Sequence, residues 1–324
     1  MKKFLIGLSV LLCCQAVAQT VSLSPFYGGR QAALSLTFDD GLQDQYTLAF
    51  PELQRRGLRA TFAVIGSKVG GVMHSNQDRA MGISGTPCMT WDMLREMAAD
   101  GHEISSHGWE HKKVQRLTAE QLRYEVQHND SVIYRETGQF PRTYFFPGNS
   151  RDSATLAYCM HDRVACRTFQ TAIGSKRDTT WLRRWVDSLI GQGQWGVGMT
   201  HGIAMGYDHF PDPQVLWRFL DYVVTQQDRL WVAPFCEVAA YIAERDNTKL
   251  AIVSENDTTI ELSINSTLAP KLFRQPLTLL VAGLAIAAQQ DGRQLEIVPC
   301  GELTVINGVS PADGNVLITV KPKE

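Results

Sequence analysis

Two adjacent carboxylates close the stretch Thr37-Phe38-Asp39-Asp40-Gly41, which directly follows the apolar run Ala32 to Leu36. A short apolar run bounded by polar sequence predicts a buried strand, and Gly41 supplies the freedom to turn where it ends. Consecutive strand side chains point to opposite faces, so Asp39 and Asp40 converge on one pocket only if the strand end is irregular. Burying two carboxylates together is costly unless a cation or hydrogen bonds compensate, so the pair calls for a metal. On these five residues alone, the alternative is an Asp-Gly turn with two solvated acids.

Three more polar groups fall at expected strand ends. His107 and His111, in Ser106-His107-Gly108-Trp109-Glu110-His111, have a spacing that can present two imidazole nitrogens to one metal. Alone, such a pair is as readily incidental. Beside Asp40 it makes two histidines and a carboxylate with an open position, the donor set of a catalytic zinc site. The turn Pro147-Gly148 follows Phe145-Phe146. It can aim the Gly148 N–H at the site as an oxyanion donor, or be a plain turn behind two core phenylalanines. His201 closes Met199-Thr200 at the same face, where a general acid is needed; the other reading is a satisfied core histidine.

Positioning these groups requires elements whose ends meet. Apolar strand-like runs at Leu34–Phe38, Ala60–Ile65, His102–Ser106, Thr143–Phe146, Val164–Phe169, Trp195–Thr200 and Leu230–Phe235 alternate with amphipathic helical patterns. One helix is announced by the capping box Thr118-x-x-Gln121. Alternation of this kind predicts a parallel sheet covered by helices, and seven repeats favour a closed or nearly closed barrel over a doubly wound sheet. Chemistry in such barrels sits where strands end and loops begin. The Gly/Ser/Asn-rich stretch Gly66 to Thr86 reads as an excursion near a binding face. After Lys249 the texture changes to short β-type runs broken by Asn-Asp, Asp-Gly and Asn-Gly, which predicts a small all-β, sandwich-like region. The expected organisation is a signal at 1–18, an α/β domain at 19–248 and the β region at 249–324. No Trp or Tyr follows Tyr241, so a sugar-binding aromatic platform is hard to build there, and a structural or docking role fits better.

Composition narrows the function. The 324 residues are 44% hydrophobic and 20% charged, enough for a full core and a second small one, and the formal net charge of -2 offers no basic excess for nucleic acid or an anionic membrane. No run after the N-terminus is long enough to span a bilayer; Leu277 to Ala288 is short and contains Gly283. Lys2-Lys3, the apolar segment Phe4 to Cys14 and Ala16-Val17-Ala18 have the order of a secretory signal cut after Ala18, which implies a secreted or periplasmic protein. Leu11-Leu12, ahead of Cys13-Cys14 where small residues are wanted, argues against lipid attachment. The remaining five cysteines match neither a disulfide framework nor a zinc site, and buried free thiols are the simpler reading than a Cys159–Cys166 bridge.

Thr-Phe-Asp-Asp-Gly, then His-x-x-x-His after Gly101-His102-Glu103-Ile104-Ser105-Ser106, then an apolar strand ending in His201, together resemble the polysaccharide deacetylase family. This is the nodulation-type chitooligosaccharide deacetylase homology domain, or carbohydrate esterase family 4. The resemblance runs from about Arg30 to Arg245 and leaves the β-rich tail outside. It implies a distorted seven-stranded barrel in which Asp40, His107 and His111 hold a divalent metal, commonly zinc, with cobalt, nickel or iron also suited to the donor set. It further implies Asp39 as general base and His201 as general acid. One position departs from the family pattern: aligned on Pro147, Phe145 stands where an arginine usually anchors the base, and Gly148 stands at the usual tyrosine. Arg167, in the next strand, is a candidate source of the missing charge, with a surface or helix-pairing arginine as the alternative. Asp178 is a candidate for the aspartate that tunes the acid histidine. The implied reaction is removal of N-acetyl groups from an amino-sugar polymer such as peptidoglycan, a chitin-like chain or an exopolysaccharide. The alternatives are an O-acetyl esterase on xylan or another glycan and, in a different class, a glycan-binding or structural protein with a weakly active metal site.

Overall fold

A computed structural model describes residues 21–80 and 82–321. The proposed signal at 1–18 therefore lies outside the described residues. The core is a parallel sheet organised around the strand Ala32–Phe38, all seven residues of which are buried. Burial on both faces explains why its sequence is a continuous apolar run rather than an alternation. Trp195–Thr200 pairs along one side of it. The other side is shared, with Leu230–Val232 against its first half and Thr61–Val64 against its end. Beyond Thr61–Val64 come Glu103–Ser106, Thr143–Phe145 and Ala165–Arg167; beyond Trp195–Thr200 comes the two-residue strand Thr171–Ala172.

The two ends of this sheet are neighbours in sequence. Arg167 ends one edge strand and Thr171 begins the other. A link this short spans at most about 14 Å, so the sheet has to curl until its edges face each other. That curled α/β sheet is the distorted barrel expected from the seven apolar runs, with Thr171–Ala172 as an eighth strand among the described residues. Helices Trp91–Ala99, Thr179–Gln192 and Gln214–Thr225 pack their apolar faces on it. Phe38 and Phe62 stack at 4.9 Å in the middle of the core; fully burying a side chain of this size contributes about 1.5–3 kcal/mol. The capping box at Thr118 and Gln121 forms as expected.

The C-terminal region consists of antiparallel sheets. Thr248–Glu255, Thr259–Ser266, Val316–Val320, Ala285–Gln290 and Arg293–Gln294 make one; Val21–Leu23, Leu277–Ala282, Leu303–Val309 and Glu296–Cys300 make the other. Inward residues of both sheets, among them Ile260, Leu279, Ile306 and Ile318, form a single buried cluster. The chain crosses between the sheets at Gly283, whose φ of +94° suits a residue without Cβ. Strand Val21–Leu23 pairs with Leu277–Ala282, so the segment just ahead of the parallel sheet is built into the C-terminal one. The five described cysteines are all free thiols, with only Cys300 exposed. No helix among the described residues is long and apolar enough to cross a membrane.

Candidate functional site

The central strand ends at Phe38, and the next two residues break the alternation that separates their side chains. Asp40 takes φ +75° and Gly41 φ +73°. A left-handed aspartate is uncommon and costs of order 1–3 kcal/mol, but it swings its carboxylate to the side where Asp39 already points. Both acids are buried, at 3% and 6% exposure.

His107 follows strand Glu103–Ser106, and its Nε2 lies 3.5 Å from Asp40 Oδ1 and 3.9 Å from Asp39 Oδ2. Its Nδ1 is 2.8 Å from the carbonyl oxygen of Phe145. That contact assigns the Nδ1 proton, which the carbonyl accepts, and leaves the Nε2 lone pair facing the carboxylates. His111 Nε2 lies 3.6 Å from the same Asp40 oxygen. The loop between the histidines is held from beneath by buried Glu125, whose carboxylate accepts the backbone N–H groups of Glu110 (3.0 Å) and Lys112 (2.8 Å). Gly108 fits there because a Cβ would come within 2.5 Å of Glu125 Oε1.

Asp40, His107 and His111 bring one donor atom each within 4.8 Å of one another. Tetrahedral bonds of 2.0–2.2 Å place ligand atoms roughly 3.3–3.6 Å apart, which the two contacts to Asp40 Oδ1 match at 3.5 and 3.6 Å. Asp40 Oδ1 is buried and accepts no hydrogen bond in the structure. A buried anionic oxygen facing two imidazoles is the donor chemistry a divalent cation fits. Burial works against the imidazolium of His107, but Asp40 and Asp39 outweigh it and raise its pKa. His111 is pushed down to about 4, by burial and then by the charge on His107.

Asp39 has a different set of partners. Arg167 is 1% exposed and grips it through two hydrogen bonds, Nη1 to Oδ1 at 2.8 Å and Nη2 to Oδ2 at 2.5 Å, with Nη1 also donating to Thr37 Oγ1 at 2.9 Å. Burial pushes the Asp39 carboxyl up, but Arg167 and then His107 hold it well below the usual carboxylate range. Phe145 and Arg167 are directly paired positions of adjacent strands, and the guanidinium carbon sits 4.0 Å from the Phe145 ring centroid. The positive charge absent at Phe145 is thus present one strand over, with the phenylalanine as the surface it stacks on.

His201 follows Trp195–Thr200, and its Nδ1 lies 3.9 Å from Asp208 Oδ2. Asp208 in turn accepts from the Ser175 hydroxyl at 2.5 Å and the Ser175 N–H at 3.2 Å. Asp178 is elsewhere: it caps the helix Thr179–Gln192 by accepting from the Trp181 N–H. The carboxylate beside His201 is therefore Asp208 and not Asp178. No sequence signal marked it, since it lies in a loop with no regular spacing to the other groups. Pro147 is buried, and Gly148, at φ +59°, makes the turn that follows Phe145-Phe146, with Lys113 beside it.

Residues 28–161 match the polysaccharide deacetylase family model. The match ends ahead of His201. Among similar proteins are a Bacillus subtilis (strain 168) protein assigned as polysaccharide deacetylase YxkH, 30% identical over 106 residues, and the peptidoglycan-N-acetylglucosamine deacetylase PgdA of Listeria monocytogenes serotype 1/2a (strain 10403S), 24% identical over 111 residues. These alignments cover 32% and 34% of this chain, and 33% and 20% of the two relatives, so the chain spans a third or less of their length. A solved structure of a Mycobacterium smegmatis protein assigned as a polysaccharide deacetylase superposes with a TM-score of 0.52 at 14% identity, over 72% of this chain and 98% of that one. That likeness shows the fold.

Proposed function

We propose that this protein is a divalent-metal-dependent hydrolase that removes N-acetyl groups from an amino-sugar polysaccharide. One observation carries the reading. A two-histidine, one-carboxylate cluster lies directly beside a second carboxylate that is buried, ionised and held by an arginine. Asp40, His107 and His111 would hold the cation, with zinc the best match to two imidazoles and one carboxylate. A cation bound there acidifies water and withdraws charge from an acetyl carbonyl. Asp39, fixed by Arg167, takes the proton from the attacking water. His201, facing Asp208, gives a proton to the departing nitrogen, because an amine leaves poorly until protonated. The Gly148 N–H is the candidate donor to the developing oxyanion. The products are acetate and a free amino sugar.

Similar proteins named as deacetylases of peptidoglycan-N-acetylglucosamine, peptidoglycan-N-acetylmuramic acid and chitin support an amide substrate over an ester. The Arg167–Asp39 pair argues against a site retained only for binding, since a buried guanidinium is expensive to keep unless it holds the base. The signal expected at 1–18 fits a substrate outside the cytoplasm. The test is acetate release by the mature protein from acetylated chitooligosaccharides, peptidoglycan and acetylated xylan, with chelator and with added zinc. Zinc-dependent acetate from an amino-sugar substrate is expected; release from xylan alone makes the protein an esterase, and release from none makes it a binding protein. Asp40→Ala and His107→Ala should each purify without metal, and full occupancy in both would mean the ligands are misassigned.

A further inference from the structure

Buried polar side chains that touch no reacting atom concentrate next to the motif, at Asp44 and Gln45. Asp44 is 5% exposed, and its Oδ2 alone accepts three consecutive backbone N–H groups: Ile203 at 2.8 Å, Ala204 at 2.8 Å and Met205 at 3.2 Å. Successive N–H groups converging on one oxygen form an anion-holding nest, and here the anion belongs to the chain itself. Gln45 is fully buried, and its Nε2 donates to the carbonyl of Asp39 at 2.6 Å and to that of His201 at 2.9 Å. The two neighbours therefore grip the His201 loop twice, and the second grip also holds the backbone of Asp39.

An ionised carboxylate is costly to bury, and a neutral side chain or a tight turn would be enough to close an ordinary loop. This loop carries the proton donor, and the strand end it is tied to carries the proton acceptor. We propose that Asp44 and Gln45 are positioning residues: they fix His201 against Asp39 so that acid and base flank one acetamide. The proposal rests on the reading of His201 as general acid, and it adds what sets that histidine's place. The sequence adjacency has a consequence. One short segment, 39 to 45, supplies the base, one candidate metal ligand and the clasp on the acid, so the two proton-moving groups cannot drift independently.

The test uses the metal-loaded mature protein with Asp44→Ala, Asp44→Asn, Gln45→Leu, His201→Ala and the double variant D44A/H201A. Turnover is measured on an N-acetyl chitooligosaccharide and on 4-nitrophenyl acetate, whose phenolate leaves without a proton. Metal content, melting and hydrogen exchange of residues 201–208 are measured alongside. D44A should lose on the order of 10²-fold in kcat on the amide with KM within about threefold, since a small misplacement of a catalytic group costs about that much. Its loss on the aryl ester should be under about threefold. D44N, which keeps an acceptor oxygen without the charge, should fall between wild type and D44A. The double variant should fall no further than H201A, because groups that act as one unit do not add. Multiplying losses, or equal losses on amide and ester in folded, metal-loaded protein, overturn the proposal and leave a structural staple. Should wild type release acetate from none of the glycans, the proposed function fails while the clasp is still decided by exchange. Faster exchange at 203–205 in D44A and at 201–202 in Q45L supports it, and unchanged exchange removes it.

Discussion

Arg167 illustrates how a charge can be kept while its position in the sequence moves. A guanidinium at 1% exposure is tolerable because Asp39 and Thr37 accept from its Nη1 and Nη2 groups and the Phe145 ring covers its face, while Nε is buried without a partner. Arg167→Ala should leave Asp39 buried with only the His107 side of the site to offset its charge. We expect the variant to lose roughly 3–5 kcal/mol of stability and on the order of 10²-fold in kcat at temperatures where it is folded. Arg167→Lys should recover only part of this, because an ammonium cannot form the paired contact. Denaturant melts and acetate release at matched metal occupancy decide it, and wild-type turnover in Arg167→Ala would detach Arg167 from the base. The motif residues themselves were legible, since Asp39, Asp40, His107, His111 and His201 all fall at ends of recognisable apolar runs. Arg167 could be named as the candidate for the missing charge, but its grip on Asp39 could not be read as more than that, because it depends on strand order and 128 residues separate the pair. The partner of His201 was misread for a similar reason. Asp178 stands at a helix start, where an N-cap accounts for it fully, while Asp208 comes from an irregular loop.

Elements were readable in proportion to how fully they are buried. All seven expected parallel strands occur, because strands covered on both faces leave continuous apolar runs. Thr171–Ala172 is two residues of ordinary polarity, and only its pairing with Gly198 and Met199 makes it a strand. Ala285–Gln290 was hidden behind Gly283, which divides one apolar stretch between two sheets. The loop 107–112 shows a helix controlling a site it does not enter. Glu125 turns its carboxylate under the loop and takes up the N–H groups that would otherwise leave His111 on a floppy segment. Glu125→Gln removes the charge from these bonds and one acceptor oxygen from the pair. The expected result is a loss of about 10- to 100-fold in metal affinity, measured by competition with a chromogenic chelator, with the far-UV spectrum unchanged. Unaltered affinity would show that the loop holds its shape without the carboxylate.

At the scale of the whole molecule, the parallel sheet and the antiparallel sheets are tied together by more than a linker. Val21–Leu23 joins the C-terminal sheet before the chain enters the parallel one, and Tyr241, on the last helix of the α/β region, packs in the C-terminal core and donates to the Ser24 carbonyl at 2.9 Å. Glu244, one turn further along that helix, lies at the same joint. It is 2% exposed, one oxygen accepts the Gln275 N–H at 2.7 Å, and the other is buried without a partner. Burial raises its pKa from 4.5 to about 7, only partly offset by the Gln275 N–H and Arg142. The folded state therefore holds a proton that the unfolded chain has released between about pH 4.5 and 7, and stability falls as pH rises through that window. Above it, the native state carries a desolvated carboxylate. Glu244→Gln keeps an acceptor for Gln275 and cannot ionise. It should match wild type near pH 4.5 and exceed it by roughly 1–3 kcal/mol at pH 8. Paired denaturant titrations from pH 4.5 to 8.5 cancel the pH dependence of metal binding, which both proteins share. Parallel curves would mean that water reaches Glu244 and that the joint opens more readily than its packing implies. Diverging curves would make this single carboxylate the point where the two regions loosen in alkaline medium, with Asp40, His107 and His111 at the far end of the strands unaffected.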